Sequence, residues 1–377
     1  MEPLRHDDPP WAGSHVLLGR LDADSERAVP VRRFVARSAD GDRDLLVSLP
    51  RPDADPARWA VEAEGARRLS LPGFLPVTEV GGTAELPWCA TPYVPALPLP
   101  AALRAHGGPL PEPFVRFLGA ALARALATAH ARGVTHAGLS PAAVLLTTDG
   151  PRASCFGAVR AAGPDGERRD GPPGLDPGCL APEQAAGGRP RPLGDVYALG
   201  AVLAHAATGH TVPERDEIPV PLRSLVTACL SRDPATRPQA HQVLALLEPN
   251  TRWEPVAHPV AGPRPRGAHP ATVLDAPPHP ATVLDGADGP GPLPALVVAA
   301  LARQAARVLA AELPAPAPGH PAPGSPAPPP WTDGRCSPRS PTTTRTGSVP
   351  IASSRAWAAA AWVRSTSPGR TPAAPRP

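Results

Sequence analysis

As far as residue 249, apolar residues along the chain follow two periods in succession, first alternating and then helical. His15 to Leu21, Pro30 to Arg37 and Asp44 to Leu49 are short β-like runs, with a turn signal at Ala39-Asp40-Gly41 and a stop at Pro50. Pro56 to Leu69 reads as a helix with Asp55 as N-cap, followed by more β at Leu75 to Val80 and Trp88 to Val94. A Pro-rich connection (Pro95, Pro98, Pro100) ends this part. Beyond it, Phe114, Phe117, Leu118, Ala121, Leu122, Ala125 and Leu126 form a helical stripe over Pro113 to Arg132, stopped by Gly133. Val144 to Thr147 is a strand before the Asp149-Gly150 turn. Asp195 to Thr208, Leu222 to Leu230 and Gln239 to Leu247 are further helices. The pattern predicts an α+β protein of two lobes, a small β-rich one followed by a larger helical one.

After residue 249 the periodicity fades into Pro, Ala, Gly, Ser, Thr and Arg. Two features stand out. His269-Pro270-Ala271-Thr272-Val273-Leu274-Asp275 recurs at His279 to Asp285, within a Pro-rich linker over 249–292. Residues 293–313 read as an Ala-rich amphipathic helix. Arg303, Gln304 and Arg307 interrupt it too early for the roughly 18 apolar residues that a membrane span needs. Residues 314–377 read as a disordered low-complexity tail, whose end resembles out-of-frame sequence.

Composition narrows the chemistry. All 37 basic residues are arginine, so mechanisms built on a lysine amine are excluded. With 34 acidic residues the net charge is only +3, which leaves no electrostatic footprint for nucleic acid. The 59 prolines point to a non-globular part, consistent with the tail. Five separated cysteines, with no CxxC pair, suggest neither a disulfide framework nor a zinc site, and fit a reducing compartment. The polar opening Met1 to Pro10 is no signal peptide, so the expected location is cytoplasmic.

Five motifs occur in order: Gly133-Val134-Thr135-His136-Ala137-Gly138-Leu139-Ser140-Pro141-Ala142-Ala143-Val144, Ser154-Cys155-Phe156-Gly157, Ala181-Pro182-Glu183, Asp195-Val196-Tyr197-Ala198-Leu199-Gly200 and Arg232-Asp233-Pro234-Ala235-Thr236-Arg237-Pro238. Together they resemble the catalytic loop, DFG motif, APE motif, helix-F motif and late arginine motif of bacterial, actinobacterial-type Ser/Thr protein kinases, over residues 12–248. The resemblance implies a bilobal protein-kinase-like fold.

It also implies where the chemistry should lie, and there the chain departs from the family. A working kinase positions the attacking hydroxyl with an aspartate, holds two Mg²⁺ with an asparagine and a second aspartate, and clamps phosphate with a strand lysine opposite a helix glutamate. By resemblance those positions hold Gly138, Ala143, Cys155 and Ser48, and the catalytic-loop lysine position holds Ser140. The glycine-rich loop is replaced by Asp22-Ala23-Asp24-Ser25-Glu26-Arg27, which sets carboxylates where a polyanion would sit. Each like-charge pair at 4 Å costs about 1 kcal/mol in water and about 4 kcal/mol at an effective dielectric of 20.

Positions that build the family's scaffold are kept. The resemblance pairs Glu183 with Arg237 to anchor the activation segment. It sets Asp195 beneath the catalytic loop and puts His136 and Phe156, followed by Gly157, in the hydrophobic spine. Glu62 matches the helix glutamate, read either as a solvated residue or as the partner of a nearby arginine. Cys155 is read as a small buried filler or a reactive thiol.

The leading expectation is a pseudokinase, a binding or scaffold module in bacterial phosphosignalling, with no cofactor. The alternative is an active kinase, using ATP and Mg²⁺ with displaced residues such as Asp149 or Asp165; a decayed product without function is a third reading. Thr272 and Thr282, each followed three places on by aspartate, are either phosphosites or part of a duplicated linker. As phosphosites they imply an active kinase and a phosphothreonine-reading domain as partners. Pro314 to Pro330 is a polyproline-II ligand or a solvated linker.

Overall fold

The structure is a computed structural model that describes residues 1–22, 29–169, 174–248 and 293–311. Thr272, Thr282, the 314–377 tail and most of the stretch aligned with the glycine-rich loop lie outside the described residues. All described residues fall in one unit, Met1–Ser325.

The N-terminal lobe is an antiparallel sheet of β1 (Trp11–Ala12), β2 (His15–Arg20), β3 (Val31–Ser38), β4 (Asp44–Pro50), β5 (Glu79–Gly82) and β6 (Pro87–Pro92), in the order β1-β2-β3-β4-β6-β5. One helix, α1 (Pro56–Arg68), packs on β6 and β5. Asp55 caps it as expected, accepting hydrogen bonds from the N–H groups of Ala57 and Arg58. Alternation sorts the sheet's side chains into two sets. Phe34, Ala36, Leu45, Val47 and Leu49 share one core with Leu17 and Ala90. Val31, Arg33, Leu46 and Ser48 point to the other face, toward the helical lobe.

The chain crosses to that lobe through β7 (Ala96–Pro98), the edge of a small sheet with β8 (Val144–Thr147) and β9 (Gly150–Ala153). It then enters α2 (Leu99–His106), which ends at Gly107 in the left-handed region with φ 89°. Proline made this stretch read as a connection, yet Pro100 lies in the first turn, where no N–H is needed. Only part of Leu75 to Val80 joins the large sheet. Leu75 N–H bonds instead to the Ala153 carbonyl at 2.8 Å, and Phe74 pairs with Ala153.

The helical lobe is organised on α3 (Glu112–Ala131), followed by the short α4 (Ala158–Ala162) and α5 (Pro182–Ala185), then α6 (Pro192–Thr208), α7 (Val220–Cys229) and α8 (Ala240–Leu247). The stripe Leu118, Leu122 and Leu126 is buried against Leu199, Leu203, Val243 and Leu247. Each such side chain contributes about 1.5–3 kcal/mol by leaving water. A last helix, α9 (Ala295–Leu309), packs on α2 and β7. No helix among the described residues is long and apolar enough to cross a membrane.

Candidate functional site

Strand alternation builds the cleft between the lobes. Leu45, Val47 and Leu49 turn into the N-lobe core, so Leu46 and Ser48 turn toward the cleft. Ser48 lies opposite Arg33 on β3 and Cys89 on β6. Together with Glu62 and Cys155 these residues line a cavity of about 140 Å³.

Arg33 is a buried cation of this cleft and belongs to none of the five motifs. The residue is 2 % exposed, and its guanidinium donates through Nε to Asp22 Oδ2 at 2.8 Å and through Nη2 to Asp22 Oδ1, and reaches Ser154 Oγ through Nη1 at 3.2 Å. Ser154 Oγ donates in turn to the Ala143 carbonyl at 2.7 Å. A chain of polar contacts thus runs from the N-lobe strand to the catalytic-loop position. The signal was present in the alternation of Val31-Arg32-Arg33-Phe34-Val35, where one arginine must share a face with buried valines.

Of the positions that the resemblance assigns to catalytic groups, Gly138 is closed by packing, whereas Ser48 and Cys155 line the cavity. A Cβ on Gly138 would lie 2.1 Å from the Cys155 carbonyl oxygen and 3.0 Å from the Ala158 nitrogen, so no side chain fits there. Ala143 is fully buried. Ser140 caps the short 3-10 turn Pro141–Ala143, its Oγ accepting from Ala143 N–H at 3.2 Å. Cys155 is partly buried in the cavity wall, with its backbone in the left-handed region at φ 61°. Burial pushes its thiol pKa up, outweighing the opposite pull of Arg33, so it is a neutral thiol rather than a reactive thiolate. Cys89 is likewise pushed up to about 12 by burial.

Glu62 corrects the solvated reading. Both its carboxylate oxygens accept from Arg160 Nε at 2.9 Å, and Oε2 accepts from Nη2 at 2.7 Å. The guanidinium lies 4.8 Å above the Phe156 ring and donates to the Thr135 carbonyl. Arg160 belongs to α4, a helix that the sequence pattern did not show, so its approach to α1 had no visible cause. Gly157, at φ 76°, makes room for the pair: a Cβ there would lie 2.1 Å from Glu62 Oε2.

Beneath the cleft the retained positions form two sets of polar contacts. Arg237 donates to both oxygens of Glu183, at 2.7 and 2.9 Å, and to the carbonyls of Ser231, Leu193 and Arg232. It also lies 5.0 Å above the Tyr197 ring. Asp195 accepts from the N–H groups of His136 and Ala137, both at 2.8 Å, and contacts His130 Nε2 at 2.9 Å. His136 is wholly buried, stacked on Phe74 and edge-on to Phe156. Burial lowers its pKa to about 4, so the ring is neutral at pH 7.

Asp165 pairs with Arg169 at 2.8 Å, and Asp149 lies in the β8–β9 turn; neither is among the residues lining the cleft. Among the described residues no group of three or more His, Cys, Asp or Glu side chains is placed to hold a metal ion.

No protein-family model matches the chain. It is 35 % identical over 269 residues to "Probable serine/threonine-protein kinase PkwA" of Thermomonospora curvata, a match covering 66 % of this chain and 35 % of that protein. It is 32 % identical over 272 residues to the serine/threonine-protein kinase AfsK of Streptomyces coelicolor, covering 66 % of this chain and 33 % of that protein. The chain thus spans about a third of the length of these relatives. The Mycobacterium tuberculosis PknI kinase domain superposes with a TM-score of 0.48 at 22 % identity, over 62 % of this chain and 94 % of that one. The chain is a homologue of actinobacterial Ser/Thr protein kinases, and its curled N-lobe sheet and helical C-lobe are those of the protein-kinase fold.

Proposed function

We propose that this kinase homologue transfers no phosphate and works as a binding or scaffold module in bacterial phosphosignalling, with an active Ser/Thr kinase or a phosphothreonine-reading domain as its partner. Gly138 carries the reading. Phosphoryl transfer needs a carboxylate to orient the attacking hydroxyl, and at this position the Cys155 backbone occupies the space that such a side chain would take. Neighbouring positions agree with it. Cys155 offers a neutral thiol and Ala143 a methyl where the family binds Mg²⁺, and Ser48 brings no charge to phosphate. The residues present therefore do not fit Mg²⁺-ATP in the family's usual pose, and no catalytic step is derived through it.

The test is thermal unfolding with ATP, alone and with Mg²⁺ or Mn²⁺, followed by an assay of phosphate transfer to itself and to a generic substrate. No shift is expected, whereas a ligand at 100 times its Kd would add about 2.7 kcal/mol. A metal-dependent shift accompanied by transfer overturns the reading. Gly138→Asp should not rescue activity: forcing a side chain against the Cys155 carbonyl should destabilise the fold by about 1–3 kcal/mol.

One observation favours a second reading, a kinase with displaced residues. Arg33 stands opposite Ser48 and reaches the residue next to Cys155. For it to serve phosphate, Asp22 would have to release it. Under this reading wild-type protein already binds ATP and Asp22→Asn tightens that binding, whereas under the first neither binds.

A further inference from the structure

We propose that α9 is an intramolecular strap that spans the outer side of the connection between the lobes and fixes their relative orientation. Its sequence is built for docking along one face. Val297, Leu301, Gln304 and Val308 recur at helical spacing and are all buried, at 0, 2, 3 and 1 % exposure. Leu296, Val298 and Leu309 stay outside at 55, 45 and 78 %.

The buried face meets three separate parts of the kinase-like region. On the helical lobe, α9 crosses α2, and Val297 and Leu301 join the same core as Leu99, Ala102 and Leu103. At the connection, Gln304 Oε1 accepts a hydrogen bond from the Ala96 N–H at 3.1 Å. Ala96 begins β7, an edge strand, so Gln304 satisfies a backbone donor that its own sheet leaves open. On the N-lobe, Arg37 of β3, already paired with Asp44, donates to the Val308 and Ala311 carbonyls at 2.9 and 2.8 Å. These carbonyls lie at and just beyond the helix's C-terminal end, where the backbone carries partial negative charge.

A helix held only by the helical lobe would leave the lobes free to hinge. Anchored on β3, β7 and α2 together, it resists any rotation that separates Arg37 from Ala96. Residues 249–292 join α8 to α9 in one chain, which gives docking within the chain a high effective concentration. The proposal stands whether or not the cleft handles nucleotide.

The test is amide hydrogen exchange on the full chain carrying Leu301→Asp, which places a charge in the docking face. Exchange over residues 95–106 and 33–38 should rise about tenfold or more, while α3 and α6 keep their protection. A synthetic peptide of residues 293–311 should restore the lost protection. Unchanged exchange over residues 95–106 overturns the strap. So does a rise spread equally through α3 and α6, which would make α9 an ordinary core helix. Arg37→Leu separates the anchors: exchange should rise in β3 and the last turn of α9 but not in α2, and no change there overturns the two-lobe attachment.

Discussion

The cleft and the contacts beneath it are neighbouring parts of the molecule, yet their side chains differ in kind. At the base, Arg237 holds Glu183 and three carbonyls, and Asp195 holds the backbone on which His136 and Ala137 sit. In the cleft, Ser48 and Cys155 are small and uncharged, and the buried arginine Arg33 is matched by Asp22. The physical difference lies in what each side chain does for the folded state. Removing one member of a buried polar network strands its partners, whereas a group kept for a ligand can shrink without exposing an unsatisfied neighbour. Folding therefore depends on the first set.

The contrast breaks most sharply at Arg237. Arg237→Ala strands Glu183 and three carbonyls and should cost about 3–5 kcal/mol, read from the urea midpoint. A loss under about 1 kcal/mol would mean that the base is no more structural than the cleft.

Acid should strain the same region. With its pKa lowered to about 4, His136 resists a proton that the unfolded chain accepts below about 6.5. The unfolded state therefore binds more protons between these values, so stability falls as pH drops from about 6.5 toward 4, by of order 3 kcal/mol. His136→Phe should flatten that slope in denaturation curves taken across the range. A wild-type slope that survives the substitution assigns it to other groups.

Glu62 sits between the two regimes, in the family's chemical set but tied to Arg160. Glu62→Ala should cost about 1–2 kcal/mol, since the pair is only partly shielded from water. It should also raise hydrogen exchange in α4. At the small end, Ser48→Ala should change stability by no more than about 0.5 kcal/mol. A loss above about 2 kcal/mol would move this cleft position into the structural class.

Much of the fold was legible because periodicity and caps are local. The Asp55 cap, the strand Val144–Thr147 and the α3 stripe fall where the pattern put them. What was missed depended on partners distant in sequence. α4 is five residues long and carries no stripe of its own; its place against α1 comes from Arg160 reaching Glu62. β7 and α2 were masked by prolines that happen to occupy positions needing no N–H donor. In the site, motif order pointed to Ser48 and Cys155, which line the cavity. Arg33 matches no family motif, and only the facing of β3 and β4 brings it into the cleft.

By itself the sequence determined the two-lobed α+β plan and the kinase kinship, because hydrophobic period, turn residues and motif order are local properties. Tertiary structure decided that Gly138 has no room for a side chain, that Arg33 is neutralised by Asp22, that Glu62 has a partner and that α9 bridges both lobes. Each of these depends on distances between residues far apart in the chain. Such distances follow from how the strands and helices pack, which no local pattern records.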